Sequence, residues 1–311
     1  MKNDLQLTVV LPAFNEQDNL KAMADQLSVI LKNFNHKIVF VDDGSQDRTL
    51  EVLKELRGAN PRVQFISFSR NFGHQNALKA GLDHAQGDCL IFMDCDLQHP
   101  PQLILEMIDL WQQGNEVVYT IRQDGKDTPF FKRKTASFFY SLINLLSDVP
   151  ITPGRADFFL IDRKVADVLK NYNESPLFFR GFIPWVGFKQ AGINYEPGTR
   201  LSGTTKYSLK KMFEFAVDGI TSFSIKPLRA SIFFGAFLSL GSFFYLIFII
   251  YERIFTSHTV SGWTSILASI LLIGGIQLII LGIIGEYLGK LFMSAKKRPN
   301  YIIREQSGLD Q

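Results

Sequence analysis

With 311 residues, the chain has room for one large domain and an appendage. Its 33 basic and 30 acidic residues leave a net charge of +3, too small to suggest a nucleic-acid partner. The two cysteines, Cys89 and Cys95, make no disulfide framework and their spacing fits no zinc pattern, so they read as reduced core residues.

Met1 to Leu7 is polar and lacks an apolar signal region, so export of the first part of the chain is not expected. From there, short apolar runs alternate with helical patterns. Strands are predicted at Leu7–Leu11, Ile38–Val41, Val63–Ser67, Leu90–Met93 and Val117–Tyr119. Helices are predicted near Asn19–Phe34, Asp47–Leu56, Gln75–Ala85 and Pro101–Gln113. This alternation predicts an α/β fold with a mostly parallel, covered sheet and right-handed crossovers. Ligands of such sheets bind beyond the carboxyl ends of the strands. The unusual polar segments fall there: Pro12–Glu16, Asp42–Ser45, Ser69–Gly73 and Asp94–Gln98.

The character of the chain then changes. Residues 208–223 place Leu209, Met212, Phe213, Ala216, Ile220 and Phe223 at helical spacing, with Lys210 and Lys211 off that stripe. This reads as an amphipathic helix on a membrane surface, or as one packed on the preceding domain. Ala230–Tyr251 is 22 residues without a charge, and Thr259–Gly285 is another 27. A bilayer core of ~30 Å needs about 20 helical residues, so each run is long enough to span it. Lys206, Lys210, Lys211, Lys226 and Arg229 precede the first run. Lys290, Lys296, Lys297, Arg298 and Arg304 follow the second, whereas the loop between offers only Arg253. The positive-inside rule then puts both chain ends in the cytoplasm. The expected divisions are a catalytic domain at 1–205, a juxtamembrane helix region at 206–227, a transmembrane hairpin at 228–289 and a basic tail at 290–311. Gly235, Gly241, Gly274, Gly275 and Gly282 leave the spans room to pack in a homo-oligomer.

There is no G-x-G-x-x-G and no Walker-type lysine loop, so neither a dinucleotide nor a P-loop site is expected. What remains is carboxylate. Asp94 and Asp96 lie two apart just after an apolar strand, with Gln98 next in alternation. Oxygen ligands at that spacing suit Mg2+ or Mn2+, which keep waters and bind phosphates at the same time.

The strings Val9-Val10-Leu11-Pro12-Ala13-Phe14-Asn15-Glu16, Val41-Asp42-Asp43-Gly44-Ser45, Arg70-Asn71-Phe72-Gly73 and Asp94-Cys95-Asp96-Leu97-Gln98-His99-Pro100-Pro101 resemble the family 2 glycosyltransferases of GT-A fold. The likeness continues through Phe138-Phe139-Tyr140, Lys206-Tyr207 and the paired apolar runs. It is greatest to the polyprenyl-phosphate branch, the bactoprenol glucosyltransferases and dolichyl-phosphate mannose synthases. The resemblance implies that Pro12, Ala13, Asn15, Glu16, Asp43 and Arg70 line a nucleotide-sugar pocket, with Asp42 sharing that role. It implies metal and diphosphate positions at Asp94, Asp96 and Gln98. Arg122, Arg133, Ser137 and Lys206 fall where the family handles donor and acceptor phosphates, with Lys132 and Lys134 as alternatives to Arg133. His74 and His99 stand near the motifs, and His99 is a candidate support for the metal loop. Asp157 matches a family position, but Phe159 stands where the family often has arginine, and Arg155 precedes instead. Either Arg155 restores that charge from another direction, or the donor or acceptor contact differs here.

The activity so implied is inverting transfer of a hexose from a nucleotide sugar, UDP-glucose by preference. The acceptor is a polyprenyl phosphate such as undecaprenyl phosphate, and the β-linked product would serve cell-envelope glycan modification. The expected location is a bacterial inner membrane. In this scheme Asp94, Asp96, Arg122 and Asp157 form the catalytic set, with Asp157 positioning substrate more than accepting a proton. The competing readings are a transferase with a saccharide or lipid hydroxyl acceptor, and a non-catalytic nucleotide-sugar-binding scaffold.

Overall fold

A computed structural model describes residues 5–123, 144–146, 153–172, 177–196, 221, 224–255 and 262–309. The first part builds β1 (Gln6–Ala13), α1 (Leu20–Ile30), β2 (Asn35–Asp42), α2 (Thr49–Ala59), β3 (Val63–Phe68), α3 (His74–His84), β4 (Cys89–Phe92), α4 (Leu103–Gln112) and β5 (Val117–Arg122). Then follow β6 (Arg155–Asp162), α5 (Arg163–Lys170), α6 (Phe179–Trp185) and β7 (Gln190–Tyr195). Two long helices, α7 (Lys226–Phe255) and α8 (Trp263–Ala295), precede a last strand, β8 (Ile303–Ser307).

The sheet has eight strands in the order β7-β5-β6-β4-β1-β2-β3-β8. β1 pairs in parallel with β2 and β4, and β2 with β3. β6 runs antiparallel to both β4 and β5, and β8 antiparallel to β3. β7 is parallel to β5, so six strands share one direction and β6 and β8 oppose it. Residues 7 to 13 of β1 and 38 to 42 of β2 are all buried, as expected of central strands covered on both faces. Leu7, Val9 and Leu11 pack on one side with Met23, Leu27 and Met107 from α1 and α4. Val10, Val39 and Val41 pack on the other with Ala77, Leu78, Val165 and Phe182 from α3, α5 and α6. Gly81 lets α3 approach β1 closely, because a Cβ there would lie 2.1 Å from Val10 Cγ1.

β6 decides where the site can form. Because it is antiparallel, its amino end, carrying Arg155 and Asp157, arrives at the edge where β4 and β5 end. β8 belongs to the stretch expected as a basic tail, yet it closes the far edge of the catalytic sheet. Ser69 N donates to Ile302 O (3.0 Å), and Tyr301 stacks on Phe68 with ring centroids 5.1 Å apart. The Tyr301 hydroxyl donates to Asp83 Oδ2 (3.0 Å), and Lys54 pairs with Glu305 (2.8 Å).

Lys226–Tyr251 and Ser269–Ala295 are long and apolar enough to cross a membrane, and none of either span's most apolar stretch is buried in the protein. Side chains such as Phe233, Phe237 and Leu271 face outward, which water would penalise and lipid would not. α8 runs ten residues past the charge-free stretch and carries Glu286 and Lys290 in that extension. There the Tyr287 hydroxyl donates to Ser224 O (2.6 Å), tying α8 to the entry of α7.

Candidate active site

A cavity of about 290 Å³ opens at the carboxyl ends of β1, β2 and β4. Pro12 and Ala13 border it at the end of β1 and Phe14 and Glu16 just beyond, Asp43 after β2, and Asp94, Cys95 and Asp96 after β4. Asn71, Gly73, His74 and Ala77 complete the wall from the β3–α3 turn.

The loops around the cavity are stitched to one another. Asn15 N donates to Ser45 Oγ and Gln46 N donates to Asn15 Oδ1, each at 2.9 Å. Glu16 N donates to Thr49 Oγ1 (3.0 Å), and Arg48 N to Gln17 Oε1 (2.9 Å). Asn15 and Leu97 hold φ of 56° and 61°, a left-handed backbone that non-glycine residues seldom adopt and that gathers at functional loops. Gly44 has φ 68°, and a Cβ there would lie 2.3 Å from the Arg70 carbonyl carbon, so only glycine lets these two turns touch.

The adjacent carboxylates Asp42 and Asp43 part company. Asp42 is buried, accepting from Ser45 N (2.9 Å) and Ser67 Oγ (2.6 Å). Asp43 lines the cavity and accepts from Phe72 N (2.7 Å) and Gly73 N (2.9 Å). Burial raises its pKa, and the two N–H bonds work against that rise.

Asp94 and Asp96 both reach the cavity, and Gln98 N donates to Asp96 Oδ1 (3.1 Å). Among the described residues, no three His, Cys, Asp or Glu side chains gather as a closed metal site. Two carboxylates on an open cavity nevertheless fit a hard cation that takes its remaining oxygens from a diphosphate and water. Asp94 N donates to His99 Nδ1 (3.3 Å), and the His99 ring stacks on Phe158 (centroids 5.2 Å), which anchors this loop to β6. Cys95 is buried with its thiol on Pro12 O (3.1 Å), and burial pushes its pKa up. It is a packing residue.

Arg122, Arg70 and Asp157 are not among the residues that line this cavity. Arg122 ends β5, and its N–H donates to Gly154 O (2.8 Å). Arg70 is exposed and lies 4.1 Å from the Phe72 ring centroid. Arg133, Ser137 and Lys206 lie outside the described residues, as does most of the expected juxtamembrane helix. Asp157 is buried. Arg180 Nε donates to its Oδ1 (2.8 Å) and Arg180 Nη2 to its Oδ2 (3.0 Å), while His74 Nε2 lies 3.4 Å from Oδ2. Burial disfavours its charge, but Arg180 and His74 together hold the carboxyl far below the usual range. His74 Nε2 also lies 3.6 Å from Asp94 Oδ1. Crowding in the cleft would lower its pKa, but Asp157 and Asp94 outweigh that and push it up to about 9.

The cation that meets Asp157 is Arg180. Arg155 has another place: its guanidinium lies 3.8 Å from the Tyr119 ring centroid. Phe159 is a core residue stacked on Phe92 (centroids 4.8 Å). Arg180 was not among the residues expected from sequence. Its signal was a lone charge in the apolar run Leu177-Phe178-Phe179-Arg180-Gly181-Phe182.

The model of "Glycosyl transferase family 2" matches residues 8–169. The chain belongs to this family. It is 44% identical to the uncharacterized glycosyltransferase YkcC of Bacillus subtilis, over all of this chain and 97% of that one. It is 38% identical to the bactoprenol glucosyl transferase of Shigella phage SfV, over 97% of this chain and 99% of the relative. Among solved structures, a glucosyl-3-phosphoglycerate synthase from Mycobacterium tuberculosis shares the fold, with a TM-score of 0.50 and 18% identity over 70% of this chain and 78% of that one. That protein was crystallised with Mn2+, UDP-glucose and phosphoglyceric acid. The family 2 chain described here thus has the GT-A type of sheet, followed by two candidate membrane spans.

Proposed function

We propose that this protein transfers a hexose from a nucleotide sugar, UDP-glucose by preference, to a polyprenyl phosphate such as undecaprenyl phosphate. The observation that carries the reading is the end-to-end match to bactoprenol glucosyl transferases, which includes both candidate spans. The nucleotide would lie along Pro12, Ala13, Glu16 and Asp43, with Asp94, Asp96 and Gln98 holding Mg2+ or Mn2+. When bound, that cation supplies positive charge for the diphosphate leaving group.

The acceptor chemistry agrees with the state of Asp157. A lipid phosphate has a second pKa of about 6, so it is mostly dianionic near neutral pH and needs no strong base. A carboxylate held by Arg180 and His74 is a poor proton acceptor, and none is required. The lipid phosphate oxygen attacks the anomeric carbon as the bond to the diphosphate breaks and its electron pair leaves with the diphosphate. One in-line displacement inverts the centre and gives a β-linked product from an α-linked donor. Arg122, Arg133, Ser137 and Lys206 are the proposed phosphate-handling groups, arginine being well suited by its planar fork. We place the protein in a bacterial cytoplasmic membrane, with its catalytic domain and both ends on the cytoplasmic side.

The test is incubation of the purified full-length protein with undecaprenyl phosphate and a panel of nucleotide sugars, followed by mass spectrometry of the lipid. A hexosyl-phosphoryl lipid is expected with the wild type and Mn2+. It should be lost with chelator, and with Asp96→Asn while the fold persists. Transfer only to a hydroxyl acceptor would overturn the acceptor assignment, and full activity in chelator would overturn the metal assignment.

A further inference from the structure

A chain of charges crosses the site from α6 to the loop after β4. Arg180 grips both oxygens of Asp157 at 2.8 and 3.0 Å. Asp157 and Asp94 then share one nitrogen, His74 Nε2, at 3.4 and 3.6 Å. The Asp157 side chain is only 7% exposed, so it depends on partners, whereas that of Asp94 is 34% exposed and opens on the cavity. We infer that Arg180 is a positioning residue, which satisfies Asp157 so that His74 remains shared with Asp94 and sets the direction of that carboxylate.

The physical argument is one of competition. A buried carboxylate deprived of a charged partner draws on whatever donor remains. Without Arg180, the donor that remains at Asp157 among the described residues is His74. A ring drawn fully to Asp157 leaves Asp94 without its lateral contact. Arg180 lies on α6 and is not among the residues that line the cavity, whereas His74 and Asp94 are, so its effect passes through Asp157 and His74. The inference rests on the reading of Asp94 as an oxygen ligand for the cation.

The experiment is calorimetric titration of UDP into the full-length protein in detergent, with Mn2+ and with chelator. Arg180→Ala is expected to weaken Mn2+-dependent binding about tenfold, the size of one lost charged contact, and to leave metal-free binding near wild type. Adding Asp157→Asn to Arg180→Ala should restore part of the Mn2+-dependent binding, since the neutral amide no longer draws the ring from Asp94. Arg180→Lys should recover part of the loss, because an ammonium can meet one oxygen of the pair. Unchanged binding in Arg180→Ala, equal losses with and without metal, or a double variant that binds no better than Arg180→Ala would each overturn the inference. If Arg180→Ala does not fold, Arg180→Lys carries the test: a smaller loss confined to the Mn2+ titration is expected, and wild-type behaviour there overturns the inference. Wild-type UDP binding indifferent to Mn2+ overturns the inference together with the metal reading. Mn2+-dependent binding without transfer to lipid phosphate sinks only the acceptor reading.

Discussion

Asp42 and Asp43 show how two neighbouring carboxylates acquire different duties. Successive side chains at a strand end point to opposite sides, so one turns toward Ser67 on β3 and the other toward the cavity. Asp42 holds the β2 turn through Ser45 N and Ser67 Oγ, and both partners would be stranded by its removal. Asp42→Ala is therefore expected to destabilise the protein by about 1–3 kcal/mol, read as a lower denaturation midpoint. UDP affinity measured well below that midpoint should stay near wild type. A large loss of affinity with unchanged stability would instead put Asp42 in the nucleotide pocket.

Among the elements, β8 is the one whose role is least local. It gives β3, otherwise an edge, an antiparallel partner, and an uncovered edge of apolar strand is a template for aggregation. β3 also leads directly into the turn whose Phe72 and Gly73 N–H groups hold Asp43. Removal of residues 300–311 should lower the thermal midpoint and promote association through the exposed edge, seen as a shift to larger species in size-exclusion chromatography. Tyr301→Phe deletes only the hydroxyl bond to Asp83 and should cost about 1 kcal/mol. An unchanged midpoint in the truncated protein would mean that β8 adds nothing to the stability of the sheet.

At the scale of the whole molecule, strands on both sides of the helical pair belong to one sheet. β7 precedes α7, and β8 follows α8. If the two helices span a bilayer, a chain that leaves and rejoins the same domain crosses an even number of times. The basic residues outside the two charge-free runs, set against a single Arg253 between those runs, favour the cytoplasmic side for that domain. In intact cells, a cysteine introduced as His258→Cys should react with an impermeant thiol reagent, and one introduced as Arg304→Cys should not. The reverse pattern would overturn the orientation and with it a cytoplasmic active site.

The sequence by itself determined the alternation of strands and helices as far as β5, the two apolar runs, and Asp94 and Asp96 at a strand end. These signals are local: periodicity, length and turn residues are read within about ten residues of one another. The division of labour between Asp42 and Asp43 was left open, because it depends on what β3 and α3 place beside them. Only the tertiary structure decided the antiparallel course of β6, the return of β8 to the sheet, and the pairing of Asp157 with Arg180. Each joins segments far apart in the chain. Strand partners, their direction and the cation that meets a buried carboxylate are fixed by packing across the sheet, not by the spacing of neighbours along the chain.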